Sequence, residues 1–507
     1  MEPAKHLMLV PVNMWGHARP LCILASRIVK LRPKTSVTVF IGVKFADRAK
    51  AEVVRDFLPD EEHLLEQISF VTLEQGDHPI DASLYAASFL DAWNMLQSGH
   101  ALSSHTANGT HRSVDLSSAP LSAAIIDMFM VGAFRTLQAS VLREQAETPF
   151  GLYSWLPAAT NCMPFWFGDD RVPQAEELAT SRGISFNDAA HEARRATNGK
   201  IVRSPYLPPV YDHECRPQSV PVSTEFCGDV LIRVAGVFRD TDGVITFDAA
   251  EYHPEATAAL RASFAETSRN VVYAGPLVSG GGSPGKSKSE SDVRTFLGAQ
   301  LGSRGERSVI LISFGSMFWP SDPAKLGAVL EVLMDKNIPF VLSCCSPFAA
   351  IPDDTRRKLE EYDSAFLSNW IPQQAVLAHP ATGWCLTHAG HNSVLECILA
   401  GVPMILWPID ADQPANAIHL TEQLKVGYEL LEVRHGVGLG PILRTGRTLT
   451  GSLEAVRAEL LDVLQRAFGA DGEAKRVRLA GLREKLQDVW EEGGVARREV
   501  EAFLDAF

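Results

Sequence analysis

Short apolar runs alternate with amphipathic segments twice along this chain, once on each side of a stretch reading SGGGSPGKSKSESD. A buried strand followed by a returning helix is a βα unit, and repeats of it build a parallel sheet with helices on its faces. In the first half the pattern predicts strands over 6–12, 36–43, 68–73, 123–127 and 150–155, then 244–247 and 270–273, with helices over 17–30, 81–96 and 131–145. In the second half strands are expected over 308–313, 340–345, 365–369, 384–387 and 404–406, each followed by a helical pattern. The Gly/Ser/Lys stretch between the halves cannot bury a core and reads as a flexible link. At 507 residues the chain also exceeds what one hydrophobic core usually supports. The expected organisation is a first domain over 1–278, a link over 279–292, a second domain over 293–485, and a terminal helix over 486–507 that packs back on the first domain.

Composition narrows the function. Hydrophobic residues at 46% and charged residues at 21% make an ordinary globular balance, so both halves can bury cores. A net charge of −14 speaks against a protein whose task is to hold nucleic acid phosphates, which needs a basic surface. The opening MEPAKHLMLVPV is too short for a secretory core, and no run of about 18–20 apolar residues follows that would span a membrane. A soluble, cytoplasmic, monomeric protein is expected. The eight cysteines lack C-x-x-C spacing and read as reduced structural thiols, and His213-Glu214-Cys215 would point its side chains to opposite faces, so no metal site is expected there.

The most informative segment runs from Trp370 to Gln413 as WIPQQAVLAHPATGWCLTHAGHNSVLECILAGVPMILWPIDADQ. It reads as a strand end, a short helix, a buried strand, a turn at Gly390, a helix opening near Asn392 and another buried strand. Ligands of parallel α/β sheets bind at the carboxyl ends of such strands. A helix N-terminus presents unpaired N–H groups and partial positive charge, so the turn His388-Ala389-Gly390-His391-Asn392-Ser393 suits a diphosphate. Glu396 can accept hydrogen bonds from a ribose diol, Trp370 can stack on a nucleobase, and Asp412 with Gln413 can hold sugar hydroxyls.

The segment resembles the signature box of the family 1 UDP-glycosyltransferases of plant secondary metabolism, matching its 44-residue length without gaps. The resemblance implies the GT-B fold, two Rossmann-like α/β domains facing across a cleft, and a UDP-sugar donor as co-substrate with no cofactor. It assigns Trp370 to the uracil, Gln373 to the nucleoside, Glu396 to the ribose, His388, Asn392 and Ser393 to the diphosphate, and Asp412 with Gln413 to the sugar; Ile371 is expected at the donor as well, and Gly390 permits close approach of the diphosphate. Gln413 in the closing position resembles glucose users. One departure is clear: where plant members have Trp in H-C-G-W-N-S, this chain has His391 in H-A-G-H-N-S, beside the donor sugar. Two smaller matches lie outside the box. Ser313-Phe314-Gly315-Ser316 resembles the family's F-G-S loop, with Ser316 on the donor phosphates, and Tyr273-Ala274-Gly275-Pro276-Leu277 resembles the stretch leading into the link.

Glycosyl transfer to an alcohol needs a base for the acceptor proton, and near neutral pH a histidine is the usual one. His17 follows the first strand at the start of the first helix, where a side chain projects over the strand ends, and Asp127 ends the strand AAIID. The family's catalytic pair is similar: Gly16-His17-Ala18-Arg19-Pro20 matches its G-H-x-x-P, and Asp127 resembles the partner that orients the base. The implied reaction is direct displacement with inversion, giving a β-glycoside and UDP, with no metal. Asp410-Ala411-Asp412 spells D-x-D, a trigram that binds divalent cations in another fold but is common by chance.

A small hydrophobic acceptor is expected, lined by Met14, Trp15, Phe89, Trp93, Phe129 and Trp155, with Tyr85 and Met130 nearby. Each could equally be core. Residues 157–239, rich in Pro and aromatics (Phe165, Trp166, Phe167, Tyr206, Tyr211), read either as a wall of the acceptor site or as a helical elaboration with its own core. A sugar epimerase of the same architecture and a non-catalytic nucleotide-sugar binder are the alternatives. A nicotinamide or flavin enzyme is disfavoured because no G-x-G-x-x-G opens the first helix.

Overall fold

Strands β1 (His6–Val10), β2 (Ser36–Gly42), β3 (Ile68–Leu73), β4 (Leu102–Thr106), β5 (His111–Val114), β6 (Ala123–Asp127) and β7 (Gly151–Leu156) belong to one sheet with two later strands. Between them and those later strands lies a separate antiparallel pair, β8 (Ile201–Val202) and β9 (Val210–Tyr211). With β10 (Gly243–Thr246) and β11 (Asn270–Tyr273) the first sheet reads β11-β10-β7-β6-β1-β2-β3-β4-β5. All its pairings are parallel except β3–β4 and β4–β5 at one edge. The computed structural model describes residues 5–76, 83–140, 143, 149–163, 171–220, 222–279 and 288–506.

The second sheet is wholly parallel, in the order β14-β13-β12-β15-β16-β17. It comprises β12 (Val309–Ser313), β13 (Phe340–Ser343), β14 (Ala365–Ser368), β15 (Thr382–Thr387), β16 (Met404–Leu406) and β17 (Gly427–Glu429). Helices cover both sheets, so the central strands β1, β6, β12 and β15 are buried at every residue, which is why they read as near-continuous apolar runs. The hairpin β4–β5 escaped the sequence reading because LSSHT and HRSV are mostly polar; β5 lies at the sheet edge with three of four residues exposed.

Three boundaries differ from expectation or lie outside the described residues. Of the link over 279–292, residues 280–287 fall outside them, whereas Lys288–Arg304 is a helix, so 288–292 are helical. Glu290 in its first turn favours that start by meeting the positive end of the helix dipole. Of the helix expected over 81–96 the described part is Ser83–Gln97, with 81–82 outside the described residues; the helix opening at Val131 ends at Gln138, and 141–142 and 144–145 of the expected span lie outside them. At the carboxyl end the Val495–Asp505 helix packs on the first domain: Tyr273 N donates to Glu499 Oε2 at 2.6 Å, and the Phe503 ring meets Tyr153 at 4.9 Å.

Residues 157–239 combine both readings made of them. Helices Val172–Arg182 and Phe186–Arg195 build a small satellite core around Ala175, Ala189 and Ile232, the Val234–Asp240 helix packs into the main core of the first domain, and Val220, Val222, Phe226 and Leu231 face the cleft. Tyr206 is buried edge-on to His253 and Tyr211 stacks on His213, so neither lines the cleft; Phe165, Trp166 and Phe167 fall outside the described residues. Among the described residues no helix is long and apolar enough to cross a membrane, and all eight cysteines are unpaired.

Candidate active site

The carboxyl ends of both sheets open into one cleft between the domains, enclosing about 260 Å³. From the first domain come Met14, Trp15 and His17 after β1 and Phe129 after β6. From the second come the loops after β12, β13, β14, β15 and β16, including Ser316, Cys345, Trp370, His388 and Asp412.

His17 and Asp127 meet because β1 and β6 are hydrogen-bonded neighbours with the same direction, so their carboxyl ends coincide. His17 Nδ1 donates to Asp127 Oδ2 at 2.9 Å, and the other carboxylate oxygen accepts from Phe129 N at 3.0 Å. Asp127 is fully buried, whereas the His17 side chain keeps 17% exposure toward the cleft. The carboxylate thus fixes the ring and its tautomer, leaving Nε2 unprotonated and able to take a proton, which is the logic of the hydrolase triads. Phe129 lies against the His17 ring at 5.2 Å and Phe226 lies edge-on to Phe129 at 5.7 Å, making one wall beside the base apolar.

On the facing side, the His391–Ala400 helix starts at Gly390 and aims its first amides into the cleft. The His388 ring is clamped between two glycines: a Cβ at Gly390 would lie 2.4 Å from its Nε2 and one at Gly315 2.7 Å, so neither position accepts a side chain. Burial pushes the His388 imidazole down to about 4, so near neutral pH it is an uncharged donor or acceptor. Ala389 and Ala411 both adopt left-handed backbone, with φ of 66° and 61°. Asn416 Nδ2 ties the two loops together by donating to Ala389 O and to Asp412 Oδ2. Non-glycine residues in that region hold strain that the surrounding bonds must offset.

Several side chains expected on the nucleotide already have protein partners. Gln373 accepts from Ser313 Oγ at 2.7 Å and donates to Ser393 Oγ at 3.1 Å and Glu396 Oε2 at 2.6 Å. Glu396 receives Arg19 from the first domain on its other oxygen, and Arg19 also pairs with Glu52 at 3.0 Å. Asn392 Nδ2 donates across the cleft to Gly16 O at 2.8 Å, which places the start of the helix directly opposite His17. Gln413 Oε1 accepts from Ile409 N and Asp410 N, so its amide offers a ligand its NH2 side. Trp370 is 45% exposed, Ile371 is buried at the cleft wall, and Asp412 is half-buried, with desolvation raising its carboxyl above the usual range. Asp410 receives Arg194 at 2.9 Å and Arg216 at 3.2 Å, so the first carboxylate of the D-x-D trigram is taken up by two guanidiniums.

His391 is fully buried, with Nε2 donating to Asp248 Oδ1 of the first domain at 2.7 Å. Asp248 also accepts from Thr160 N, Thr160 Oγ1 and Ala249 N. Burial opposes the ionised carboxylate, but the His391 imidazole and the Thr160 bonds hold it below the usual range. The residue that departs from the plant box therefore makes a buried tether between the domains, and sequence reasoning had no signal for its partner.

The acceptor wall needs correction. Met14, Trp15 and Phe129 line the cleft, but Phe89, Trp93 and Trp155 do not. Tyr85, Phe89 and Trp93 recur every fourth residue, so they form one stripe of the Ser83–Gln97 helix, and that stripe packs on the sheet. Phe89 meets Phe40 edge-on at 5.2 Å, Trp93 meets Phe150 at 6.1 Å, and Trp155 lies against Phe247. Met130 is core as well.

Comparison with known proteins decides the family. The chain is 30% identical over 530 aligned residues, covering 99% of this chain and 98% of the relative, to the UDP-glycosyltransferase eriJ of Hericium erinaceus. This chain belongs to the UDP-glycosyltransferase family. Residues 283–432 of the enzyme match the family model "UDP-glucoronosyl and UDP-glucosyl transferase". A hydroquinone glucosyltransferase of Rauvolfia serpentina is 25% identical over 94% of this chain and 97% of its own. Two solved structures share the fold of this glycosyltransferase: a transferase from Siraitia grosvenorii in complex with UDP (TM-score 0.67, 18% identical, 99% of each chain) and Phytolacca americana UGT2 complexed with UDP-2fluoro-glucose and pterostilbene (TM-score 0.65, 20% identical, 99% of each chain). The readings as an epimerase, a nicotinamide enzyme or a non-catalytic binder are set aside by this membership.

Proposed function

We propose that this glycosyltransferase transfers a hexose, glucose from UDP-glucose, to a hydroxyl of a small hydrophobic acceptor, with inversion and without a metal ion or cofactor. The observation that carries the reading is the His17–Asp127 pair facing the amino end of the His391–Ala400 helix across an apolar-walled cleft. The acceptor hydroxyl lies against Met14, Phe129 and Phe226 and gives its proton to His17 Nε2 as its oxygen attacks the anomeric carbon. The bond from that carbon to the diphosphate breaks on the opposite side, so an α-linked donor gives a β-glycoside and UDP. Charge on the departing diphosphate is met by the helix amides, the Ser393 and Ser316 hydroxyls and the neutral His388, groups already oriented before the reaction. Trp370 and Ile371 take the uracil, Gln373 and Glu396 the ribose face, and Asp412 with Gln413 the sugar. The named activities of the relatives support a glucosyl donor and a phenolic type of acceptor: one is a hydroquinone glucosyltransferase, and one structure holds UDP-2fluoro-glucose with pterostilbene.

The test is a product assay by mass spectrometry with UDP-glucose, UDP-galactose and UDP-N-acetylglucosamine offered separately to phenolic, terpenoid and sterol alcohols in excess chelator. A hexose mass gain from UDP-glucose, with a β-linkage by NMR, is expected. Product from another donor alone overturns the sugar assignment, and activity that returns only with added divalent cation overturns the metal-free mechanism.

A further inference from the structure

Arg48, on the Ala46–Arg55 helix of the first domain, inserts its guanidinium between two indoles from opposite sides of the cleft. Its Cζ lies 3.8 Å from the Trp15 ring centroid and 3.7 Å from the Trp370 ring centroid. These are stacking distances, so the two indoles bound a slot one planar group thick. Nη2 of Arg48 is buried without a hydrogen-bond partner, and among the described residues no carboxylate forms an ion pair with this guanidinium. Desolvation, with the Arg19 charge next, pushes Arg48 down to about 9. The two π faces hold this cation at close range, and the Glu52 charge adds a favourable coulombic contribution.

We propose that Trp15 and Trp370 are the two walls of a slot for the donor's nucleobase, and that Arg48 fills this slot as an internal stand-in until a pyrimidine base displaces it. The inference rests on the UDP-sugar reading above and moves Trp15 from the acceptor wall to the nucleotide. Guanidinium and uracil are both flat π systems of similar thickness, and each stacks on an indole. The exchange favours the base for two reasons. A base offers a larger face to each indole, and the displaced guanidinium regains water or the donor diphosphate for the Nη2 that has no partner in the slot. Donor entry would thereby be coupled to the position of the first domain, since Trp15 sits two residues before His17.

Calorimetric binding of UDP and of uridine to the full-length enzyme tests this, with wild type, Arg48→Ala, Arg48→Lys and Trp15→Leu compared. Removing an occupant that competes for the slot raises the fraction of competent enzyme, so Arg48→Ala should bind both ligands tighter by about threefold or more. Arg48→Lys, which keeps the charge but not the flat group, should move in the same direction. Trp15→Leu should weaken uridine roughly tenfold, the size expected for one lost base–aromatic stack. Trp15→Phe, with thermal unfolding of each variant, guards against a misfolded Trp15→Leu and should bind uridine near the wild-type level. Weaker or unchanged uridine binding in Arg48→Ala overturns the stand-in, and unchanged uridine binding in a folded Trp15→Leu overturns the second wall. Both results leave the donor assignment intact if wild type binds UDP; a wild type that binds neither UDP nor uridine overturns the donor assignment and the slot together.

Discussion

His17 Nδ1 and Asp127 Oδ2 lie 2.9 Å apart although 110 positions separate the two residues in sequence. The contact exists because β1 and β6 run side by side in parallel, so whatever follows one strand meets whatever ends the other. Replacing His17 with Ala should lower kcat by roughly 10²- to 10⁴-fold, the usual contribution of a general base. Asp127→Asn should also lower kcat strongly while leaving UDP affinity near wild type, because the amide can no longer enforce the Nδ1–H tautomer. Steady-state kinetics beside UDP calorimetry check both; a His17→Ala enzyme within tenfold of wild type would remove His17 from the mechanism.

Trp93 is wholly buried against Phe150 and does not line the cleft. Trp93→Ala should destabilise the protein by about 3–5 kcal/mol, the usual range for deleting a large core aromatic. The folded fraction should keep the wild-type KM for the acceptor. Phe129→Ala should do the reverse, raising that KM with little change in stability, since this ring faces the cleft beside His17. Denaturant unfolding and acceptor titration of the two variants separate core from site.

The His391–Asp248 bond joins the domains in a fully buried place. His391→Ala removes one of four donors to a buried carboxylate, which should cost about 1.5–3 kcal/mol. His391→Trp, the residue of the plant box, should destabilise as well, because an indole must fit among Phe247 and Tyr252 where only an imidazole is packed, and Asp248 still loses its donor. A melting temperature equal to wild type in His391→Trp would show that the pair contributes little.

Acid sensitivity follows from buried neutral imidazoles. Burial pushes His253 down to about 3 and His388 to about 4, from an ordinary value of 6.5. Between the folded and unfolded values the unfolded chain binds more protons, so stability falls as pH falls. The contribution is fully present above about pH 6.5 and is lost progressively toward pH 3–4. His253 stacks on His419 at 3.7 Å, and burial lowers His419 too, so the two domains share this sensitivity. Melting temperatures should drop steadily from pH 7.5 to pH 4.5, and His253→Phe should flatten the slope; an unchanged slope would place the sensitivity elsewhere.

Which parts were legible in the sequence follows from how local their causes are. Parallel strands buried on both faces must be apolar throughout, so β1, β6, β12 and β15 announce themselves, as does the turn into the His391–Ala400 helix. The residues from Trp370 to Gln413 lie close in the chain and around the carboxyl end of one sheet, so their spacing alone carried the family. The polar hairpin β4–β5 and the acceptor wall had no such local signature. Phe89, Trp93 and Phe129 look alike as aromatic residues, and only the direction each element presents to its neighbours makes two of them core and one a wall of the cleft. Packing also decided what pairs across the domains: Asp248 with His391, Arg19 with Glu396, and Arg48 with Trp15 and Trp370. Strand periodicity and helix starts arise from neighbours in the chain, whereas these pairings arise from how two separately readable sheets are set against each other, and that relation belongs to the tertiary structure alone.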